Sequence, residues 1–454
     1  MDAVRPDAQE LSAALSESGD TFPHEALPLL LSLLPLDARA RAACVCRAWR
    51  TATSHPLLWE ELSFENCAVQ VSDATLALLC ARAGAALRTL YLVSDACKPV
   101  DTVGLLAALR GGGCTGLLRL STSLATDIGR TKALRAAAVK ELVAACPMLQ
   151  RAACRVFCRL SEAAAATALP GLVMLECWGE STPLASLTQL ADYLRISTTV
   201  TSLMVHSCNI GDAGAAQLAQ CLRINATLTS LNLWNNNIGD AGAAALAECL
   251  RVNTTLTSLQ LWSKRVGDAG AAQLAECLCA NTTLTSLDLA HNRIGNVGAM
   301  QLAQCLRVNN ALVNLNLRGN GIGDDGVTHV AECLSVNATL TQLDLGSNRI
   351  LEAGARQLAE CLRVNTTLTS LNLGCNDVGV AGATHLAQCL RVNVTLTSMD
   401  LHHNGIGDAG ATQLAESLRQ NATLKSLDLR SNGISETSKH ALRQACAPQC
   451  TLRV

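Results

Sequence analysis

The residues in this sequence that could do chemistry are its cysteines, histidines and asparagines. There are 22 Cys and nine His in 454 residues, enough for thiolate metal sites, disulfides or a nucleophilic thiol. Spacing argues against metal. Cys221, Cys249, Cys277, Cys305, Cys333, Cys361 and Cys389 recur every 28 residues, whereas zinc sites use close pairs such as CxxC, which the chain lacks. Each of these thiols neighbours a leucine in a helical pattern, where cysteine is a small buried apolar group. No GxSxG, phosphate-loop or HExxH string is present. His402 and His403 read as a surface pair. The sequence therefore predicts no metal, no cofactor and no catalytic centre.

Asparagine poses a second question. Asn225, Asn253, Asn281, Asn337, Asn365, Asn393 and Asn421 each open an N-x-T string, the acceptor pattern for glycosylation in a secreted chain. Their register places each Asn at the end of a helix and each Thr at the start of a strand, so structural punctuation is the expectation. The opening residues, MDAVRPDAQE, carry no apolar signal segment. The apolar run from Leu27 to Leu36 is too short to cross a bilayer. Reduced thiols and a cytoplasmic and/or nuclear location follow as expectations. With 35 basic and 37 acidic residues, net charge −2 and no basic run, nucleic acid is not an expected partner, nor is a membrane.

Stepping outward from these residues to the elements that hold them, one period governs the chain. Core residues of an LxL pattern fall at Leu203, Leu231, Leu259, Leu287, Leu315, Leu343, Leu371, Met399 and Leu427, 28 apart, and one step back reaches Leu175. The two-residue alternation of LxL predicts a short strand with one buried face. The following string, IGDAGAAALAECL, puts Ile238, Leu246 and Leu250 at helical spacing. Asp240 is placed as N-cap, Gly242 as a point of close helix approach, and Asn253 as a left-handed helix stop. One strand and one helix cannot close a core, so the units must stack. A further Asn register (236, 292, 320, 348, 376, 404, 432) should bond the backbone of neighbouring coils. It breaks at Cys208 and Lys264, where less regular turns are expected. The pattern resembles leucine-rich repeats of the ribonuclease-inhibitor type, which also occur in NLR receptors. That resemblance implies an α/β horseshoe with parallel strands inside and helices outside.

The first sixty residues differ. Residues 22–62 read as a helix from Pro23, a break at Pro35 and a second helical stretch capped by Asp37. Forty residues with no disulfide or metal are too few for a robust core, so their apolar faces should be covered by a partner or by the next domain. Pro23, Glu25, Leu27, Leu34, Pro35, Leu36, Asp37, Val45, Cys46, Trp49, Pro56, Leu58 and Trp59 follow in order the pattern of an F-box, which this segment resembles; Phe22 stands where that family usually has Leu. The resemblance implies a small all-α module that docks a Skp-type adaptor and cullin scaffold through Phe22, Pro23, Glu25, Leu27, Leu34, Pro35, Leu36, Val45 and Trp49. The organisation read from the sequence is a flexible N-terminus (1–20), the F-box (21–62), divergent repeats (63–172) and regular repeats (173–454). Within the divergent part, Leu90-Tyr91-Leu92 and Leu118-Arg119-Leu120 keep the 28-residue step, and 121–172 reads as mostly alanine-rich helix.

A protein target belongs on the inner wall. The position after the second core residue reads Trp178, His206, Trp234, Trp262, Ala290, Arg318, Gly346, Gly374, His402 and Arg430. Aromatics are 2% of the chain, yet three of its five Trp share this register. Neighbouring strands lie about 4.8 Å apart, so Trp178, His206, Trp234 and Trp262 are expected to form one patch, with Arg318, His402 and Arg430 further along. Exposed Trp and Arg contribute ~2 kcal/mol or more each in binding hot spots. Asp288, Asp344, Asp400 and Asp428, between the core residues, read as solvated surface. The F-box resemblance implies a monomeric substrate receptor of an SCF-type (cullin–RING) ubiquitin ligase without a catalytic site of its own. The alternatives are a leucine-rich-repeat scaffold or sensor outside any ligase, and a Ran-type GTPase activator.

Overall fold

The computed structural model describes residues 61–63, 73–92, 102–117, 119–122, 142, 145–146, 151–159, 172, 174–178 and 184–454. Residues 21–60 of the F-box segment, with every candidate adaptor-binding residue from Phe22 to Trp49, lie outside the described residues. The chain divides into two compact units, Met1–Cys177 and Trp178–Val454.

In the first unit, strands β1 (Glu61–Ser63), β2 (Thr89–Leu92), β3 (Arg119–Thr122) and β4 (Arg151–Arg159) pair in parallel, in that order. Leu62 lies opposite Leu90, Leu90 opposite Leu120, and Leu120 opposite Ala152. The 28-residue step thus holds once and then lengthens, because Leu92 pairs with Thr122 and not with Leu120. The alanine-rich stretch after residue 121 contains β4, against the helical expectation. Its backbone finds partners on β3, and such pairing overrides alanine's local preference. Helices α1 (Asp73–Ala83) and α2 (Thr102–Gly111) bury Leu76, Cys80, Leu105 and Leu109. Gly112 is required where they meet: a Cβ there would lie 2.5 Å from the Cys80 carbonyl carbon. Strand β5 is Met174–Trp178.

The second unit is the repeat array. Strands β6 (Ser202–His206), β7 (Ser230–Asn232), β8 (Ser258–Gln260), β9 (Ser286–Asp288) and β10 (Asn314–Asn316) lead to β11 (Gln342–Asp344), β12 (Ser370–Asn372), β13 (Ser398–Asp400), β14 (Ser426–Asp428) and a closing β15 (Thr451–Arg453). Each pairs in parallel with the next, core residue against core residue, from Leu203–Leu231 to Leu427–Leu452. Helices alternate with the strands, beginning with α3 (Leu184–Ile196), α4 (Gly211–Leu222), α5 (Asp240–Leu250) and α6 (Asp268–Leu278). The leucines of strands and helices, with the 28-spaced cysteines, form a continuous buried core. This is the leucine-rich-repeat horseshoe class read from the sequence.

Polar side chains bind one repeat to the next. Asn376 donates through Nδ2 to the carbonyls of Leu345 (3.0 Å) and Leu373 (2.9 Å) and accepts from the Ile350 N–H (3.0 Å). The same pattern recurs at Asn292 and Asn320. Each such amide satisfies backbone groups that would cost roughly 1–3 kcal/mol if buried unpaired. At the break in that register, Lys264 takes the left-handed backbone (φ 64°) and Ser263 is buried, donating to the Ile238 carbonyl at 2.8 Å. The N-x-T asparagines are buried as well. Asn253 donates to the Leu222 carbonyl (2.7 Å) and accepts from the Thr255 and Leu256 N–H groups.

Two local expectations are corrected. Asn253 is not left-handed; it stops the helix with its side chain, which replaces the missing turn by bonding the N–H groups two and three residues on. Asp240 is not the N-cap of its own helix, since Gly239 occupies that place. Its Oδ1 instead accepts from Gly267 N (2.7 Å) and Gly270 N (2.9 Å), at the start of the next helix. The same bond from the repeat before is made by Asp212, Asp268, Asn296, Asp324 and Asp408. That leaves room for no side chain at Gly242, where a Cβ would lie 2.7 Å from Asp212 Oδ1.

Candidate partner-binding face

The inner wall is built by three-residue strands whose core Leu points inward, so the residues on either side face out. Where the middle residue of LxL is Asp or Asn, it has a structural task that its sequence position does not announce. Its side-chain oxygen accepts the N–H two residues on, as in Asp288–Ala290 (2.8 Å), Asn316–Arg318 (3.0 Å), Asp344–Gly346 (2.8 Å) and Asn372–Gly374 (2.8 Å). Short Asx side chains suit this turn. The second oxygen of each Asp accepts from the next amide: Asn316 Nδ2 to Asp288 at 3.1 Å and Asn372 Nδ2 to Asp344 at 2.9 Å. These carboxylates are half-buried, not solvated surface. Burial pushes the Asp288 and Asp344 carboxyls up, against the hydrogen bonds they accept. Around them lies a concavity of about 410 Å³, lined by Asp288, Asn316, Gln342, Asp344, Asn372 and Asp400 among others.

Aromatic rings occupy the other end of this wall. The His206 and Trp234 rings stack at 5.9 Å between centroids, Trp234 and Trp262 meet at 5.3 Å and 39°, and Trp262 stacks on His291 at 4.5 Å. Trp234 is 39% exposed. The expected patch is there for three of its four members; Trp178 ends β5, and its side chain lies outside those described. His291 is the member that sequence reading missed. It stands one position past the stripe, where Ala290 was read, and reaches Trp262 because its own backbone is left-handed (φ 50°). Burial, and then the Arg318 charge, hold the His291 ring below the ordinary imidazole value.

Of the remaining candidates, Arg430 and His402 are already engaged. Arg318 is half-buried beside Asp344 and His291. Arg430 is bound to Asp428, its Nε 2.9 Å from both carboxylate oxygens. Burial alone would raise Asp428, but the hydrogen bonds and charge of Arg430 outweigh it and hold the carboxyl low. His402 lies with Nδ1 2.7 Å from Asp400 Oδ1 and Nε2 3.0 Å from the Cys375 sulfur. The histidine pair therefore splits: His402 packs into the wall while His403 is exposed. Among the described residues no group of three or more His, Cys, Asp or Glu could hold a metal, and no helix is long and apolar enough to cross a membrane.

Comparison with known proteins adds to this geometry. A family model described as F-box-like matches residues 20–65. A model described as Leucine Rich repeat matches eight times, at 197–219, 225–247, 280–303, 308–331, 336–359, 364–387, 392–415 and 420–437. No curated protein matches the chain. Among solved structures, the actin-binding site 2 of leiomodin-1 is 24% identical, with a TM-score of 0.30, over 32% of this chain and 86% of that one. The yeast complex of Rad7 and Elc1 is 15% identical, with a TM-score of 0.45, over 98% of this chain and 95% of that one. The F-box-like match precedes a run of repeats whose strands and helices are in place, and the chain is an F-box protein with leucine-rich repeats.

Proposed function

We propose that this chain is the substrate-recognition subunit of an SCF-type (cullin–RING) ubiquitin ligase. Its F-box segment docks a Skp-type adaptor and, through it, the cullin scaffold. The inner wall of the repeats holds a protein target. The chain acts as a monomeric receptor in the cytoplasm and/or nucleus and contributes proximity: a tethered target sees the transfer machinery at a high effective concentration. The observation that carries the reading is the row His206–Trp234–Trp262–His291 on the wall of a chain that also matches an F-box. Stacked rings that leave apolar area in solvent are what a protein target covers.

Co-purification is the test. The full chain should retain a Skp-type adaptor, and Pro23→Ala with Leu34→Asp should abolish that retention while the repeats still unfold at the parent temperature. Equal adaptor recovery from parent and variant would overturn the ligase assignment and leave a binding scaffold.

A further inference from the structure

Asp400, His402 and Cys375 form a hydrogen-bonded chain on the inner wall. His402 Nδ1 is 2.7 Å from Asp400 Oδ1, which also accepts the His402 backbone N–H at 2.9 Å. An ionised carboxylate only accepts, so Nδ1 carries a proton, and in the neutral ring Nε2 keeps its lone pair. That lone pair faces the Cys375 sulfur at 3.0 Å. The ring is held in a slot that exists only because residue 374 is glycine: a Cβ there would lie 2.1 Å from His402 Nδ1 and 2.2 Å from Cε1. The Cys375 N–H donates to the His402 carbonyl at 2.7 Å, which ties the two turns together. Among the described repeats no other junction combines these types. Where this one has Cys375 and His402, the preceding junction has Ser347 and Gly374, and the following one has His403 and Arg430.

We infer that Cys375 is an activated thiol, a site of covalent modification by peroxides and other soft electrophiles. Thiolate is the reactive form of cysteine, and a base oriented by a third group is the arrangement that generates it. His402 Nε2 takes the thiol proton, and Asp400 stabilises the resulting imidazolium. The sulfur then attacks one peroxide oxygen. An S–O bond forms, the O–O bond breaks, and the leaving hydroxide takes the imidazolium proton as water. Sulfur is oxidised by two electrons to the sulfenic acid and the peroxide is reduced. The charges nearest the pair are Asp400 from β13, bonded to the ring, and Asp428 from β14, which acts on His402; Asp344 from β11 and Arg430 act in turn on Asp400. Cys375 is half-buried, so small reagents reach it. The ladder cysteines 249, 277, 333 and 361 are unlike it: burial pushes their thiols up to about 12, and they are shielded from reagents. Cys279, an exposed thiol, serves as the internal control.

The experiment uses the reduced, purified full chain, limiting iodoacetamide, and peptide mapping between pH 5.5 and 8.5. Cys375 should be alkylated at least about tenfold faster than Cys279 at pH 6. His402→Gln should remove that advantage while Cys279 keeps its rate, and Asp400→Asn should reduce it by less. One equivalent of hydrogen peroxide followed by dimedone should label Cys375. Equal rates for Cys375 and Cys279 at pH 6 would overturn the inference, as would an unchanged rate in His402→Gln or no dimedone adduct. If either variant fails to fold, the parent comparison of the two thiols decides alone. The purified chain needs no adaptor, so this result stands apart from the ligase test.

Discussion

The two ends of the inner wall use the same strand positions to opposite effect. From β6 to β9 the outward positions carry His206, Trp234 and Trp262, with His291 added from the turn. Their rings touch one another and leave apolar area in solvent. From β9 to β14 the polar groups are already satisfied within the wall: Asp288 by Asn316, Asp344 by Asn372, Asp400 by His402, Asp428 by Arg430. Burying an unpaired apolar surface gains free energy at about 25 cal/mol per Å². Covering a polar group that already has its partner gains little, because its hydrogen bond is not new. Affinity should therefore reside at the aromatic end, while the polar end supplies shape and, at Cys375, chemistry.

The largest expected effect breaks that contrast directly. Trp234→Ala with Trp262→Ala should weaken target capture by on the order of 100-fold or more, with the thermal midpoint nearly unchanged because neither ring belongs to the leucine core. Asn316→Ala with Asn372→Ala, at the polar end, should cost less than about tenfold. A titration of captured target against each variant measures both, and equal losses at the two ends would remove the distinction.

Stability should sort the other way. Asn376→Ala leaves the Leu345 and Leu373 carbonyls and the Ile350 N–H without that partner, and should destabilise by about 2–3 kcal/mol in urea unfolding. Asn232 is half-buried, donates to Gln260 at 2.7 Å and accepts the Trp234 N–H at 2.9 Å, and its replacement by Ala should cost less, about 1 kcal/mol.

The smallest effect concerns protons. Asp288 and Asp344 should titrate above the ordinary aspartate value of about 3.9, and Asp428 below it. The sign for stability is opposite in the two cases. The raised carboxyls contribute stability that is complete below the unfolded value and is lost as pH rises through their folded-state titration. The Asp428 contribution is present above the unfolded value and is lost as pH falls through its own. Side-chain carboxyl NMR between pH 2 and 7 checks the order, and a single shared titration would remove the electrostatic difference between these sites.

Much of this was legible before any coordinates. LxL alternation, the helical spacing of Leu246 and Leu250 and the 28-residue step place every strand from β6 to β14, because stacking identical units is the only way each can bury its leucines. The asparagine register from 236 to 432 was readable as a set of backbone partners for the same reason, whereas the N-x-T register was readable only as helix-end punctuation and not as the side-chain bonding that Asn253 shows. In the first unit the reading failed where the step lengthened: β4 lies in a segment whose alanines favour helix, and only pairing with β3 decides otherwise.

What the sequence by itself determined is the set of contacts made in register, at separations of 28: core against core and strand against strand. The tertiary structure alone decided the contacts made off register. Asp240 caps the helix at Gly267, 27 residues on; Trp262 meets His291, 29 on; Cys375 meets His402, 27 on. The physical reason lies in the turn. A left-handed residue at His291 or Cys375 swings the side chain out of its own column and into the next, and a periodic reading assigns each residue only to its own.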